Sequence, residues 1–249
     1  MTDRTWVLAP NDLALWDQCR RCFYLAAAAE FPRPATPNRL AAVIGRRLLS
    51  GLQGARADKI ADGMPTGLVD VGRHALRSAP LTVQVPDRAY RCVIRGDLDV
   101  VLRLDGEACG LVEVVVGTPE PAALPVHARR LHAWAQAVEA PGAGERKAVR
   151  ALGVLAFEPE NDGPAGVTGA WHWTPVARDD ATFYGFLAEA LSVLARPAPP
   201  GGHRALHLVR LPRREPPHRL LIGIEGCHGF AGAPRASGGL GAMSGPPSQ

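Results

Sequence analysis

Two strand-like runs joined by the dipeptide Asp105-Gly106 constrain the fold of this chain more than any other feature. The first run, YRCVIRGDLDVVLRL, occupies residues 90 to 104, and the second, ACGLVEVVVG, occupies residues 108 to 117. An Asp-Gly pair between apolar runs is a strong signal for a β-hairpin. The second run is nearly all apolar, which is typical of a central strand buried on both faces. The sequence therefore predicts a sheet built around this hairpin.

Further helical and strand-like segments lie on both sides of the hairpin. The predicted helices cover residues 10 to 31, 39 to 61, 125 to 140 and 179 to 197. Asn11 or Asp12 caps the first of these helices, and Asp179 or Asp180 caps the last. The other predicted strands cover residues 81 to 85, part of 144 to 161, where the strand is buried, and 169 to 177. This order of elements predicts the α/β (or α+β) class, with a mixed central sheet flanked by helices.

Residues 201 to 249 differ in composition from the domain predicted for residues 1 to 200. From residue 199 onward the chain holds six arginines and two glutamates, which accounts for the whole excess of 28 Lys and Arg over 24 Asp and Glu. The net charge therefore indicates nothing about partners of the folded part. Gly, Pro and Ser crowd the end of the chain, which favours a disordered tail.

Two origins of this tail stay open. Back-translation of GHRALHLVRLPR with common GC-rich codons, followed by a shift of one base, gives a string close to GTGPCTWCAYR, with a Cys-Xaa-Xaa-Cys pattern. We favour the hypothesis that residues from about 202 onward are an out-of-frame translation, over a genuine basic tail. Under that hypothesis the histidines of the tail have no selected role.

The cysteines and the apolar segments indicate a cytoplasmic protein. Five cysteines, an odd number, speak against a disulfide framework. Only Cys19 and Cys22 have metal-ligand spacing, and they make half of a four-thiolate site. The sequence contains no apolar run of membrane-spanning length, and the first residues do not have the pattern of a signal peptide.

Two carboxylates of the hairpin are candidate metal ligands. Asp99 lies in the first strand and Glu113 in the middle of the second. Antiparallel pairing can bring two such side chains to one face of the sheet, where they could share a divalent cation. The plain alternative is that both are polar residues at a strand end or on an open face.

The order of four segments adds a resemblance to a known family. In their order and spacing, the strings CRRCFYL, IRGDLDVV, GLVEVVVGTPEP and RRLHAWAQAVEAPG resemble the RecB-like branch of the PD-(D/E)XK nuclease superfamily, and the resemblance covers about residues 8 to 200. The resemblance implies a restriction-endonuclease-like fold, DNA as the partner, and Mg²⁺ or Mn²⁺ held by Asp99 and Glu113. Arg130 takes the place of a helix glutamine and is the third candidate catalytic residue, since its guanidinium could supply positive charge to a phosphate. Trp134 takes the place of a tyrosine.

The resemblance also implies an iron-sulfur cluster, for which Cys19 and Cys22 would be two ligands. Relatives place their partner cysteines near the C-terminus, and this chain has no such pair after residue 200. We therefore expect the cluster to be ancestral and absent here.

The largest departure from the family pattern is Val115, which stands where relatives have a lysine. That lysine orients or deprotonates the attacking water and neutralises charge on the phosphate, and valine does neither. A ligand expected after Gly45 is missing too, since Arg46 and Arg47 follow it. We therefore expect hydrolysis to be weak or lost. The alternatives are a non-catalytic nucleic-acid- or protein-binding member of the fold, and a decayed gene without function; the oligomeric state is not predicted.

Several polar and aromatic residues near the predicted site allow two interpretations each. His127 and His132 either approach a phosphate or are surface residues, and the latter is more common. Trp171 and Trp173 share one strand face and favour packing against a helix over stacking on bases. Glu158 and its neighbour Glu160 are either near the metal or solvated loop acids. The arginines that either line a strand-binding channel or cover helix surfaces are Arg20, Arg21, Arg46 and Arg47.

Overall fold

The computed structural model describes residues 4–28, 39–85, 88–118, 121–163 and 166–201. Its strands are β1 (Thr5–Leu8), β2 (Leu68–Arg77), β3 (Leu81–Val85), β4 (Arg88–Arg103), β5 (Cys109–Val116), β6 (Val149–Gly163) and β7 (Gly166–Pro175). Its α-helices are α1 (Pro10–Leu13), α2 (Leu15–Gln18), α3 (Arg20–Ala28), α4 (Arg39–Leu52), α5 (Leu124–Glu139) and α6 (Asp180–Leu194). The predicted mixed α/β class, with helices flanking a mixed sheet, is confirmed.

The long strand β4 organises the sheet. Strands β2 and β3 pair with it antiparallel, β1 pairs with it parallel, and β5 pairs with it antiparallel. Beyond β5 the sheet continues with β6, which is parallel to β5, and ends with β7, which is antiparallel to β6. Strand β5 therefore lies inside the sheet between β4 and β6, as its apolar sequence predicts.

The hairpin around Asp105-Gly106 is confirmed. Val101 on β4 lies opposite Leu111 on β5 in an antiparallel register. The connection Asp105–Glu107 is one turn of 3-10 helix, in which Gly106 has φ 71°. This left-handed conformation suits glycine because it lacks a Cβ.

Helices cover both faces of the sheet. On one face the α5-side cluster contains Leu98, Leu111, Leu131, Trp134 and Val154. On the other face the α4-side cluster contains Leu52, Val100, Val112 and Leu155. A third cluster joins β1, β3 and β4 to α1, α2, α3 and α6. Neighbouring residues of β5 and β6 thus alternate between the two faces, as strand geometry requires.

The predicted first helix is wrong as a single element. It is divided into α1, α2 and α3, and the backbone is extended at Cys19, with φ −164° and ψ 103°. The predicted caps Asn11 and Asp12 are wrong too, because Ala9 precedes the helix and Pro10 is its first residue. Proline is favoured there because its missing N–H would have no helical partner.

The second predicted helix, 39 to 61, is too long, since α4 ends at Leu52. The start of the last helix agrees with the sequence. Asp179 caps α6, where its side chain accepts a hydrogen bond from the Thr182 backbone N–H at 2.9 Å, as one of the two alternatives predicts. The strands β1 and β2 were not predicted. Within the described residues, no helix has the length and apolar character needed to span a membrane. The predicted tail lies outside the described residues, apart from Gly201.

Candidate functional site

Glu113 occupies the middle of β5 and projects toward α5. Its neighbours at alternate positions, Leu111 and Val115, pack in the α5-side cluster, while Val112 and Val114 pack in the α4-side cluster. Only 10% of the Glu113 side chain is exposed. A carboxylate in such a position needs partners, because burying an unpaired charge is costly.

Two side chains of α5 supply these partners. His127 Nδ1 lies 2.7 Å from Glu113 Oε1, and Arg130 Nη1 donates a hydrogen bond to the same oxygen. The two donors are three residues apart, so they lie on one side of the helix. Arg130 Nε is buried without a hydrogen-bond partner. The guanidinium thus neutralises the carboxylate that the sequence assigns to a metal ion.

Asp99 stands where the regular pairing of β4 and β5 ends. The register runs from Arg103–Cys109 to Val100–Val112, and Asp99 and Glu113 are the next residues on their strands. Asp99 is exposed, and no hydrogen bond or ion pair joins it to another residue in the described ranges.

The strand β4 is irregular at Asp99. Leu98 packs in the α5-side cluster, whereas Val100 packs in the α4-side cluster on the other face. Residues two apart in a regular strand share a face, so the alternation is interrupted at Asp99. The register of β2 against β4 shifts at the same place, between Val71 and His74. Convergence of Asp99 and Glu113 on one ion therefore stays a prediction.

The surroundings of Glu113 suit an internal ion pair better than a divalent cation. Among the described residues, no group of three or more His, Cys, Asp or Glu side chains is placed to hold a metal. A cation at Glu113 Oε1 would also stand against the Arg130 guanidinium, which repels it. Glu113 therefore becomes an effective metal ligand only if Arg130 releases it.

No lysine of the described residues takes the place left by Val115. Val115 itself is partly buried and packs in the α5-side cluster. The side chain of Lys59 is 78% exposed, and its Nζ lies 3.6 Å from Asp58 Oδ2. Lys59 belongs to a short turn that packs in the α4-side cluster. Lys147 lies near Cys109: burial raises the pKa of this cysteine, and the positive charge of Lys147 partly opposes that rise. Cys109 begins β5, about 13 Å along the strand from Glu113.

His132 and Trp134 of α5 have structural surroundings. His132 is 5% exposed; its Nδ1 lies 2.7 Å from the Ala128 carbonyl, and its Nε2 accepts the Asp179 backbone N–H at 2.7 Å. The expectation of a surface position is therefore wrong for His132, which ties α5 to the start of α6. Trp134 is 4% exposed and lies against Gly96, where an added Cβ would come within 2.7 Å of its ring.

Cys19 and Cys22 lie together at the start of α3. The Cys22 backbone N–H donates to Cys19 Sγ at 3.2 Å, and both cysteines are free thiols. Burial and, to a smaller extent, the hydrogen bond with Cys19 raise the pKa of Cys22 to about 11. Cys92 and Cys109 are buried separately in the strands β4 and β5. The described residues bring no third ligand to Cys19 and Cys22.

The tryptophans of β7 pack on residues of the neighbouring strand β6, whereas their packing against a helix stays a prediction. The ring centroids of Trp171 and Phe157 are 4.9 Å apart, and the ring of Trp173 covers Gly153. Both belong to the α4-side cluster. Glu158 is not in a loop but within β6, where it accepts the Thr118 hydroxyl at 2.8 Å and lies 3.3 Å from His172 Nε2.

The four arginines considered for a strand-binding channel have different surroundings. The guanidinium of Arg20 stacks 4.6 Å from the Trp16 ring, and Arg21 Nη1 donates to the Pro200 carbonyl at 3.4 Å. Both interactions fit the surface-covering interpretation. Arg46 and Arg47 on α4 are exposed, and no ion pair joins them to residues in the described part of the chain.

Comparison with known proteins leaves the family unassigned. No family model and no curated protein matches the chain. A solved structure described as "Crystal structure of SSO0001" matches 75% of this chain and 75% of its own, with 15% identity and a TM-score of 0.38. A similarity at this level carries no argument about function.

Proposed function

We propose that this chain is a DNA-binding relative of RecB-like nucleases in which metal-dependent phosphodiester hydrolysis is weak or lost. The observation that carries the proposal is the pairing of Glu113 with Arg130 and His127, next to Val115 at the lysine position. A carboxylate that is already neutralised attracts a divalent cation less strongly.

The group missing from this arrangement is the lysine that the resemblance implies at the position of Val115, where it would orient or deprotonate the attacking water. Arg130 does not replace it as a base, because arginine stays protonated in proteins. The loss of a general base typically lowers the rate by a factor of about 10² to 10⁴. Asp99 and Glu113 are the groups that would hold Mg²⁺ or Mn²⁺ once Glu113 is free.

A nuclease assay with Mg²⁺ and with Mn²⁺ on linear, circular and single-stranded DNA tests the catalytic part. The unmodified chain is expected to cleave weakly or not at all. The double variant Val115→Lys with Arg130→Gln supplies the lysine and removes the competing cation, so it is expected to gain cleavage. Adding Asp99→Ala to that double variant is the matched control and is expected to abolish the gain.

Two outcomes contradict this part of the proposal. Strong cleavage by the unmodified chain that disappears in Asp99→Ala would mean that catalysis is intact. A double variant that folds and binds DNA, yet gains no cleavage, would mean that Glu113 and Asp99 do not form a metal site.

Fluorescence anisotropy of labelled DNA, measured at low and at moderate salt, tests whether the chain binds DNA. Phosphate contacts make such binding weaken as salt rises. The variant Arg46→Gln with Arg47→Gln is expected to weaken binding. Arg73→Gln is the matched control, since Arg73 is 81% exposed and is paired with Asp97. Equal binding by both variants would exclude α4 as the DNA-contacting surface, and no binding by the unmodified chain would refute DNA as the partner.

A further inference from the structure

The junction of α2 and α3 brings two thiols together by its backbone geometry. Cys19 is extended, and its carbonyl accepts the Phe23 N–H at 2.9 Å, so it is the N-cap residue of α3. Cys22 lies in the first turn, and its backbone N–H donates to Cys19 Sγ at 3.2 Å. An N-cap side chain typically accepts a hydrogen bond from a backbone N–H of the first helical turn, as Cys19 does here. Both cysteine side chains therefore lie at the N-terminal end of α3.

The two thiols differ in access. Cys19 is 6% exposed, whereas Cys22 is partly exposed. A thiol that solvent reaches can react with a dissolved oxidant, whereas a fully buried thiol cannot. Cys22 is therefore the attacking thiol of the pair.

We propose that Cys19 and Cys22 form a reversible intramolecular disulfide, a redox modification site that is independent of the proposed DNA binding. With glutathione disulfide as the oxidant, the Cys22 thiolate attacks one sulfur of glutathione disulfide and releases one glutathione thiolate. Cys19 then attacks the Cys22 sulfur of the mixed disulfide and releases the second glutathione. The two cysteine protons pass to the two glutathione thiolates, and two electrons pass from the cysteine pair to the oxidant.

The sequence between the two cysteines provides a direct assay. Trypsin cleaves after Arg20 and Arg21, and so separates peptide 5–20 from peptide 22–39 unless a disulfide joins them. The full chain is incubated with glutathione disulfide, its remaining thiols are alkylated under denaturing conditions, and the digest is analysed by mass spectrometry without reductant. We expect the linked pair of peptides, two hydrogens lighter than their sum, and its loss after treatment with dithiothreitol.

The variants Cys19→Ser and Cys22→Ser separate the two steps. Cys19→Ser is expected to keep a glutathione adduct on Cys22, since the resolving thiol is gone, and Cys22→Ser is expected to show no link. Circular dichroism checks that both variants fold. Alkylation of both cysteines in the oxidised unmodified chain, or a persistent glutathione adduct on its Cys22 without the link, would overturn the proposal. Cys92 and Cys109, which are buried apart, are internal references that are expected to stay unlinked.

Discussion

Removal of the ion pair between Glu113 and Arg130 tests what this carboxylate does in the folded chain. The same oxygen of Glu113 accepts from Arg130 and, at 2.7 Å, from His127. A hydrogen bond to a charged group contributes about 1.5 to 3 kcal/mol. The side chains are 10% and 27% exposed for Glu113 and Arg130, so solvent screens their interaction only in part. We therefore expect a coupling free energy of about 1 to 2 kcal/mol.

Urea denaturation of the unmodified chain, Glu113→Gln, Arg130→Met and the double variant measures this coupling. Each single variant is expected to lower the free energy of unfolding by about 2 kcal/mol, and the double variant by less than the sum of the two. The matched control is the pair Arg73 and Asp97, which are 81% and 36% exposed and are expected to couple by less than about 1 kcal/mol. Additivity of the Glu113 and Arg130 effects within about 0.5 kcal/mol would refute the ion pair.

Three further predictions concern stability. Burial raises the pKa of Cys92 from 9.0 to about 12, so this thiol ionises at a lower pH in the unfolded chain than in the folded chain. The free energy of unfolding therefore falls as the pH rises above 9. Relative to Cys92→Ala, the unmodified chain is expected to lose about 1.4 kcal/mol of unfolding free energy between pH 8 and pH 10 in urea denaturation, and equal losses in the two chains would refute this. His132→Ala removes the acceptor of the Asp179 N–H and is expected to cost about 2 to 3 kcal/mol in thermal unfolding, whereas an unchanged melting temperature would refute the role of His132 in joining α5 to α6. Gly153→Ala would place a Cβ within 2.2 Å of the Trp173 ring, so we expect a cost of about 1 to 3 kcal/mol and a shifted tryptophan emission, and an unchanged spectrum would count against this contact.

Local signals in the sequence account for the parts of the fold that were predicted correctly. The hairpin depends on Asp105 and Gly106, whose conformational preferences act within a few residues. The start of α6 depends on the Asp179 side chain, which bonds to the backbone three residues later. Such features need no information about the rest of the chain.

The missed elements depend on distant contacts. The spacing of Leu13, Trp16 and Phe23 stays helical across the break at Cys19, because all three are buried in the same cluster. No Gly or Pro marks that break in the sequence. Strand β2 carries Asp70, Arg73 and His74 and has no clear alternation, and it is stabilised by pairing with β4 along its length.

The candidate site was predicted by position but not by contact. The sequence places Glu113 in a buried strand and Arg130 on the helix that follows it, and both assignments are confirmed. Their pairing depends on how α5 crosses β5, which no local pattern contains. The same crossing determines that His127 reaches Glu113 while His132, on the next turns of the helix, faces Asp179.

The parallel pairing of β1 with β4 also affects how the chain assembles during synthesis. Trp6 and Leu8 lie beside Cys92 and Ile94, which come much later in the sequence, so β1 has no strand to join until β4 has been synthesised. Contacts between residues so far apart in sequence form late, because the intervening loop must first be closed. Strand β1 is therefore expected to be among the last strands to join the sheet.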